Sequence, residues 1–462
     1  MSQEAATAKT VDELRSLLSD RVVLPGDPAY DERRAVFYGG FDRRPLAVVL
    51  AATAADVQKT VAFVRDRGLE LAVRSGGHSI AGYGTTDGGI LLDLSGMRGL
   101  EIDEADRSAW AEPGLTAGEY TRAVQERGLV TGFGDTSTVG LGGLVTGGGV
   151  GYLSRKFGLT IDSLLAAEIV TADGQLRHLD DQSQPELFWA IRGGGGNFGV
   201  VTRMKLQLQP LGRVYGGILV LPATPEKLAG LVEAASAAPE DLSAIVNLIA
   251  PAPPLPFLPA EHHGRPVIMA SFVYAGPAGE AEAALAPFRA LGPVADLVRP
   301  MSYLEVFPPE DPSYHPLGVS RNLFMERLDL ADAGRIVEAM DRSNAMMRAC
   351  QIRVLGGAVS RIPNDATAYA FRDRPIMVNV ASLVGPEGVT PEVTGWVTSL
   401  TDALRGSDRS AYVNFIGAEG PDRVRDAYPA ATWNRLAQIK ARYDPNNIFR
   451  LNQNIAPGRT AG

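Results

Sequence analysis

The chain carries five histidines among 462 residues, and one of them stands where packing does not explain it. His78 lies in Val73-Arg74-Ser75-Gly76-Gly77-His78-Ser79, between paired glycines and a serine, in a loop with almost no side-chain bulk. An imidazole there is placed to touch something large lying against bare backbone. Glycine is abundant throughout, 51 of 462 residues, about 11% against a usual ~7%. The excess falls in residues 75–89, 132–151 and 193–199. A tight turn needs one or two glycines, so these clusters mark close approach of backbone to a ligand. Successive bare N–H groups form concave anion sites. Three such sites suit a ligand with an extended charged middle and a large flat end; a pyrophosphate-bridged dinucleotide fits.

The common nucleotide motifs do not describe the binding mode. Gly194, Gly196 and Gly199 spell a formal G-x-G-x-x-G, but that fingerprint needs a strand before it and a helix after it. Here ELFWAIR reads as a helix, and in the following VVTRMKLQLQP Met204, Leu206 and Leu208 alternate with Lys205, Gln207 and Gln209, a strand pattern. No glycine loop ends in Gly-Lys-Ser/Thr, and GHSIAG misses the hydrolase elbow by one residue. A formal charge of -9 argues against nucleic acid and anionic membrane as partners. The single Cys350 excludes an intrachain disulfide and a Cys-rich zinc site, and reads as a small buried hydrophobe. His262 and His263 are adjacent and cannot share a helix face as a metal pair, so no metal site is expected. The N-terminal residues lack a secretory pattern, and no run approaches the ~18 apolar residues of a membrane helix. The expectation is a cytoplasmic protein.

Alternating elements position the clusters over the first 200 residues. A helix is predicted over 9–19, and another from Ala54, with Val57, Val61 and Val64 on one face and Gly68 as its stop. The strand LELAV then leads into the His78 loop, and GGILLDLSGM reads as a strand and turn. Residues 163–179 form a hairpin about Asp173-Gly174. Near residue 210 glycine clusters give way to amphipathic helix, with a proline-rich passage at 251–266 expected as a stiff extended loop. RVRDAYPAATWNRLAQIKARY reads as one helix before a final tail. The chain thus reads as a first region to about residue 210, a second to about 415 and a final segment from about 416, long enough for two units.

Taken together, the motifs resemble the FAD-linked oxidases of the vanillyl-alcohol oxidase/p-cresol methylhydroxylase (PCMH) superfamily, in the berberine-bridge-enzyme-like branch, over almost the whole chain. The family's first phosphate loop matches Arg74, Ser75, Gly76, Gly77, His78 and Ser79, with Gly82 just beyond. Its second matches Thr138, Val139, Gly140, Gly142, Gly143, Gly147, Gly148, Gly149 and Gly151. Its third matches Arg192 to Thr202, with Asn197, Gly199, Val200 and Val201 as cofactor contacts. The tail Tyr443 to Ile455 resembles the family's return segment, which brings Asn452 and Asn454 to the isoalloxazine. The resemblance implies an α+β, PCMH-type FAD fold in which residues 1–210 and 416–462 form the FAD-binding unit and 211–415 is an inserted antiparallel-sheet substrate domain. It also implies FAD attached covalently through His78. Relatives that carry a second link use the cysteine of C-x-T-V-G; Thr136 stands there, so one link is expected. That departure favours small amines, alcohols or natural-product intermediates over sugars.

The resemblance also assigns the reacting groups. Val139 corresponds to the position beside flavin C4a, where a small side chain leaves room for O2. Tyr412 and Asn414, in Ala411-Tyr412-Val413-Asn414-Phe415, match a Y-x-N motif whose tyrosine acts as base; on a strand both project to one face. A tyrosine needs a lowered pKa to serve near neutrality, with Arg361 or Arg321 as candidate helpers; otherwise Tyr412 is a packing aromatic. Residues 356–375 resemble a substrate-lining stretch with Phe371-Arg372 in place of a His-Arg pair. The implied reaction is hydride transfer from CH–OH or CH–NH to FAD, with O2 as final acceptor and H2O2 as product. Two alternatives stay open: a natural-product tailoring enzyme performing oxidative cyclisation or oxygenation, and a non-catalytic flavin- or ligand-binding protein.

Overall fold

A computed structural model of the chain describes residues 3–309, 311, 313–343 and 345–458. The predicted N-terminal helix runs Gln3–Leu18. The helix Ala54–Arg67 begins at a reciprocal cap: the Thr53 hydroxyl accepts from the Asp56 N–H at 3.2 Å, and the Asp56 carboxylate accepts from the Thr53 N–H at 3.0 Å. It ends at Gly68, whose φ of +63° suits glycine. Val57, Val61 and Val64 are buried against a four-stranded sheet. That sheet orders Val22–Val23, Ala47–Leu50, Ile90–Asp93 and Leu71–Arg74, the last three parallel. Loops leaving the carboxyl ends of parallel strands share one side, and the His78 loop is one of them.

A five-stranded antiparallel sheet follows, in the order Leu100–Asp103, Ser108–Ala111, Val200–Gln207, Leu164–Val170 and Leu176–Leu179. Its last two strands are the predicted hairpin. Its central strand follows the third glycine cluster, and the helix Pro185–Ile191 precedes it. This is helix–loop–strand, the reverse of a Rossmann unit.

The third sheet has eight antiparallel strands drawn from residues 214–384. Its central order is Val214–Pro222, Val267–Tyr274, Leu242–Ala250, Met347–Val354, Ile376–Val384 and Leu317–Met325, with short edge strands Ala295–Asp296 and Arg299–Met301 on the first. Helices Pro225–Ala237, Ala281–Arg289, Leu330–Ala339 and Pro391–Arg405 bury one face of this sheet. Cys350 lies inside that apolar layer, fully buried, its thiol pushed up to about 12 by desolvation. The opposite face carries Gln351, Arg353 and Asn379.

Two expectations are corrected. The passage 251–266 is not extended. The Ala252 N–H bonds Arg265 O and the Gly264 N–H bonds Ala252 O, folding it into a closed loop over Val220 and Val267. The C-terminal helix is two helices, Pro421–Asp426 and Ala430–Tyr443. Pro429 lacks an N–H and biases Tyr428 away from helical backbone. Among the described residues no helix is long and apolar enough to cross a membrane.

Candidate active site

The three glycine loops converge on one cavity of about 560 Å3, roofed by the eight-stranded sheet and closed at one end by the C-terminal tail. Backbone meets backbone where two loops touch. A Cβ on Gly76 would lie 2.3 Å from the Gly140 nitrogen, and one on Gly140 2.2 Å from the Gly76 nitrogen. Ser75 stitches the same loops, donating to Pro113 O and accepting the Gly142 N–H at 3.2 Å. Arg74 lies at the wall, but its guanidinium is committed to Asp93 at 2.8 Å and to the carbonyls of Arg33 and Ala35. It secures the loop rather than offering a free charge to a ligand.

His78 faces the cavity with Phe37 stacked on its ring at 4.0 Å. Burial lowers its pKa to about 4, against a hydrogen bond from the ring to the Thr138 backbone. The imidazole is therefore neutral at pH 7, with one nitrogen lone pair free. Thr136 also lines the cavity; the only thiol, Cys350, is on the far side of the sheet.

Of the expected cofactor contacts, Ser75, Gly76, Gly77, Ser79, Gly140, Gly142, Gly143, Gly149, Asn197, Gly199, Val200, Val201 and Asn452 line the cavity, as does Val139. Gly82, Thr138, Gly147, Gly148, Gly151 and Asn454 do not, and the reason differs from the one expected. A Cβ on Gly147 would fall 1.9 Å from Asn414 Oδ1, one on Gly148 2.7 Å from the Tyr412 ring, and one on Gly82 2.5 Å from the Phe41 ring. On Gly151 it would meet Phe133 O at 1.9 Å. Those glycines make room for protein. Asn197, although at the wall, spends its side chain on the tail: Nδ2 donates to Gln453 O at 3.1 Å and Oδ1 accepts the Ile455 N–H at 2.8 Å.

The lining fits FAD on two structural observations. Cβ atoms on Gly143 and Gly196, both at ordinary backbone angles, would meet nothing within 4 Å, so nothing in the protein requires glycine there and bare backbone faces open cavity. Beside them, Asn452 Oδ1 and Gln453 Oε1 are buried without a partner. A buried acceptor left unpaired costs about 1–3 kcal/mol, which N–H groups of a bound flavin would recover.

Tyr412 stands at the cavity 2% exposed. Its oxygen accepts the Gly149 N–H at 2.9 Å and Asn414 Nδ2–H at 3.1 Å, and its ring packs on Phe415 and Tyr369. The strand expected at 411–415 is instead a 3₁₀ turn, Val413–Phe415. The Tyr412 N–H goes to Asn322 Oδ1 at 2.6 Å, a side chain in place of a neighbouring strand. The pair still meets because the turn brings Asn414 back under the phenol. Burial raises the Tyr412 pKa above its ordinary 10; the two N–H donors and Arg353 oppose this without cancelling it.

Neither expected helper is at hand. Arg361 pairs with Glu240 and Arg321 with Glu419. The cation facing Tyr412 is Arg353, which bonds Asp135 at 2.7 Å, Gln351 at 2.7 Å and Val150 O at 3.0 Å and lies 5.1 Å from the centroid of Phe415. Its signal was available: Gln351 and Arg353 alternate with Cys350, Ile352 and Val354, a strand with one polar face. The stretch 356–375 does not line the cavity. Phe371 packs on Phe324, and Arg372 is buried in a pair with Asp162 at 2.6 Å.

Comparisons with known proteins agree with this geometry. Residues 45–180 match a family model described as an FAD binding domain, and residues 411–456 match one described as berberine and berberine like. The chain is 32% identical over 455 residues to (R)-6-hydroxynicotine oxidase of Paenarthrobacter nicotinovorans, covering 95% of this chain and 97% of that protein. The crystal structure of 6-hydroxy-D-nicotine oxidase from Arthrobacter nicotinovorans superposes with a TM-score of 0.82 at 30% identity, over 96% and 98% of the two chains. Xylooligosaccharide oxidase from Myceliophthora thermophila C1 shares the fold, with a TM-score of 0.87 at 23% identity over 98% and 100%. With its glycine-lined cavity, its tail and its relatives in accord, the chain belongs to the berberine-bridge-enzyme-like FAD-linked oxidoreductases of the vanillyl-alcohol oxidase/PCMH superfamily.

Proposed function

We propose that this FAD-dependent oxidase removes a hydride and a proton from a CH–OH or CH–NH group of a small molecule, with FAD held by one covalent link through His78. The observation that carries the reading is the cavity itself. Bare glycine backbone and a neutral imidazole form one side, and Tyr412 and a polar sheet face form the other. When bound, FAD supplies the two-electron oxidation and passes the electrons to O2, giving H2O2. Residues 1–210 with 416–462 serve as the cofactor unit, and 211–415 as the substrate unit.

The chain's own residues perform the remaining tasks. His78 offers an unprotonated nitrogen for attachment, because its surroundings exclude the imidazolium. Ser75, Gly140 and Gly142 hold two loops at a fixed separation. Tyr412 takes the proton from the substrate oxygen or nitrogen in its phenolate form, which Gly149, Asn414 and Arg353 favour against desolvation. Val139 leaves the wall small where O2 must reach the reduced cofactor.

The test uses purified holoenzyme mixed anaerobically with secondary alcohols, cyclic amines and phenolic polyketides, with flavin bleaching as the readout. Readmitted O2 restores the colour and releases one H2O2 per turnover, while product mass shows loss of two hydrogens. Flavin that stays oxidised with every donor removes the oxidase reading; a product that gains oxygen replaces it with an oxygenase. Acid-precipitated wild-type protein stays yellow, and His78→Asn precipitates colourless while still binding FAD when native. A colourless wild-type precipitate removes the covalent link alone.

A further inference from the structure

The roof of the cavity carries a row of uncharged polar side chains. Four carboxamide residues, Asn247, Gln351, Asn379 and Asn322, stand directly opposite one another on four successive strands of the eight-stranded sheet. Three are engaged with protein. Gln351 Nε2 donates to Asn247 Oδ1 at 3.0 Å, its Oε1 accepts from Arg353, and Asn322 Oδ1 accepts the Tyr412 N–H. Asn379 lines the cavity, and its carboxamide oxygen is buried without a partner. Ser320 lies two residues from Asn322 on the same face, diagonal to Asn379, and also lines the cavity. Among the described residues its hydroxyl has no partner either.

The charges point the same way. Among the described residues that line the cavity, Asp135 is the sole carboxylate, and Arg353 holds it at 2.7 Å. A protonated amine entering here would find no unpaired counter-charge, a costly desolvation. A neutral hydroxylated molecule loses little on entering, and it offers the donor and acceptor that Asn379 and Ser320 lack.

We propose that the substrate is a neutral molecule bearing at least two hydroxyls, oxidised at CH–OH, with a second hydroxyl gripped by Asn379 and Ser320. The inference rests on the oxidase reading and narrows it from CH–OH or CH–NH to CH–OH. In the reaction the C–H bond breaks with its electron pair, the O–H bond gives up its proton, and C=O forms. FAD and then O2 are the acceptors that the oxidase activity already supplies. Asn379 and Ser320 are unchanged by the reaction and set which molecule is held.

Matched probes test it on the holoenzyme. trans-1,2-Cyclohexanediol and 1-phenyl-1,2-ethanediol are compared with trans-2-aminocyclohexanol and 2-amino-2-phenylethanol by anaerobic flavin bleaching. At pH 7 the diols are expected to be at least about 100-fold more efficient, the gap narrowing as alkaline pH neutralises the amines. Asn379→Leu should raise KM for the diols roughly 10- to 100-fold, the loss of one or two hydrogen bonds, with kcat and the flavin spectrum nearly unchanged. Asn379→Asp, nearly the same shape with a carboxylate added, should move preference toward the amino alcohols. Amino alcohols that bleach the flavin as fast as the diols at pH 7 overturn the proposal and leave the oxidase reading standing. So does an unchanged diol KM in both variants. Bleaching by neither probe class, in an enzyme that also resists every other donor, removes the oxidase reading and this proposal with it.

Discussion

At the scale of single residues, the site depends on two groups whose protonation is set by burial. His78 is held neutral and Tyr412 is held as a phenol. The sign for Tyr412 follows from its raised pKa. The folded state keeps the proton at a pH where an unfolded chain has begun to lose it, so this group stabilises the fold below about pH 10 and that contribution is lost as pH rises beyond. The same shift confines the basic phenolate to alkaline solution. The anaerobic reduction rate is therefore expected to rise with pH across the neutral and alkaline range without levelling below pH 10. Tyr412→Phe should flatten the profile and lower the rate by roughly 10²–10⁴-fold. Stopped-flow reduction across pH measures both, and a wild-type plateau near neutrality would show that Tyr412 is not the base. Sequence identified Tyr412 and Asn414 as partners, but neither cation it offered attends the phenol. Arg321 and Arg361 are spent on Glu419 and Glu240, whereas Arg353 reaches Tyr412 only through the pairing of strands.

At the scale of elements, glycines do two different jobs that look identical in sequence. Gly143, Gly195 and Gly196 bare their backbone to the cavity, while Gly147 and Gly148 leave room for Asn414 and Tyr412. Gly148 also has a φ of +152°, which disfavours any side chain. Gly148→Ala is expected to fold and bind FAD but to displace the Tyr412 ring, so that reduction slows at least about 10-fold, part of the loss from removing the tyrosine itself. Gly143→Ala should instead leave the tyrosine in place and weaken FAD retention. Equal effects of the two substitutions on flavin content and on rate would contradict this division of labour. Helix and strand assignments near these loops were legible because their patterns are local: Val57, Val61 and Val64 repeat at helical spacing, and Met204, Leu206 and Leu208 alternate. The Tyr412 turn was not legible, because Asn322, 90 residues away in sequence, takes the N–H that a neighbouring strand would have taken.

At the scale of the whole molecule, one wall of the cavity comes from the tail, which is fastened back onto the third glycine loop. Lys440 is fully buried and bonds Asp444 at 2.6 Å, Asn197 O at 2.7 Å and Phe449 O at 2.9 Å. Removing one partner of a buried pair costs about 3–5 kcal/mol, because the other charge is left uncompensated. Lys440→Met is thus expected to lower the unfolding temperature by several degrees and to reduce bound FAD; thermal unfolding and flavin absorbance check both. An unchanged melting temperature would show that the tail docks by other means. Sequence by itself determined the cofactor and the kind of fold, because glycine loops and amphipathic repeats are local demands met by residues close together in the chain. Only the tertiary structure decided which glycines face the cavity and which face protein, which arginine attends Tyr412, and which charges line the cavity. Those properties belong to surfaces assembled from strands tens to hundreds of residues apart, where burial and pairing decide whether a carboxylate, a guanidinium or a carboxamide is free to act.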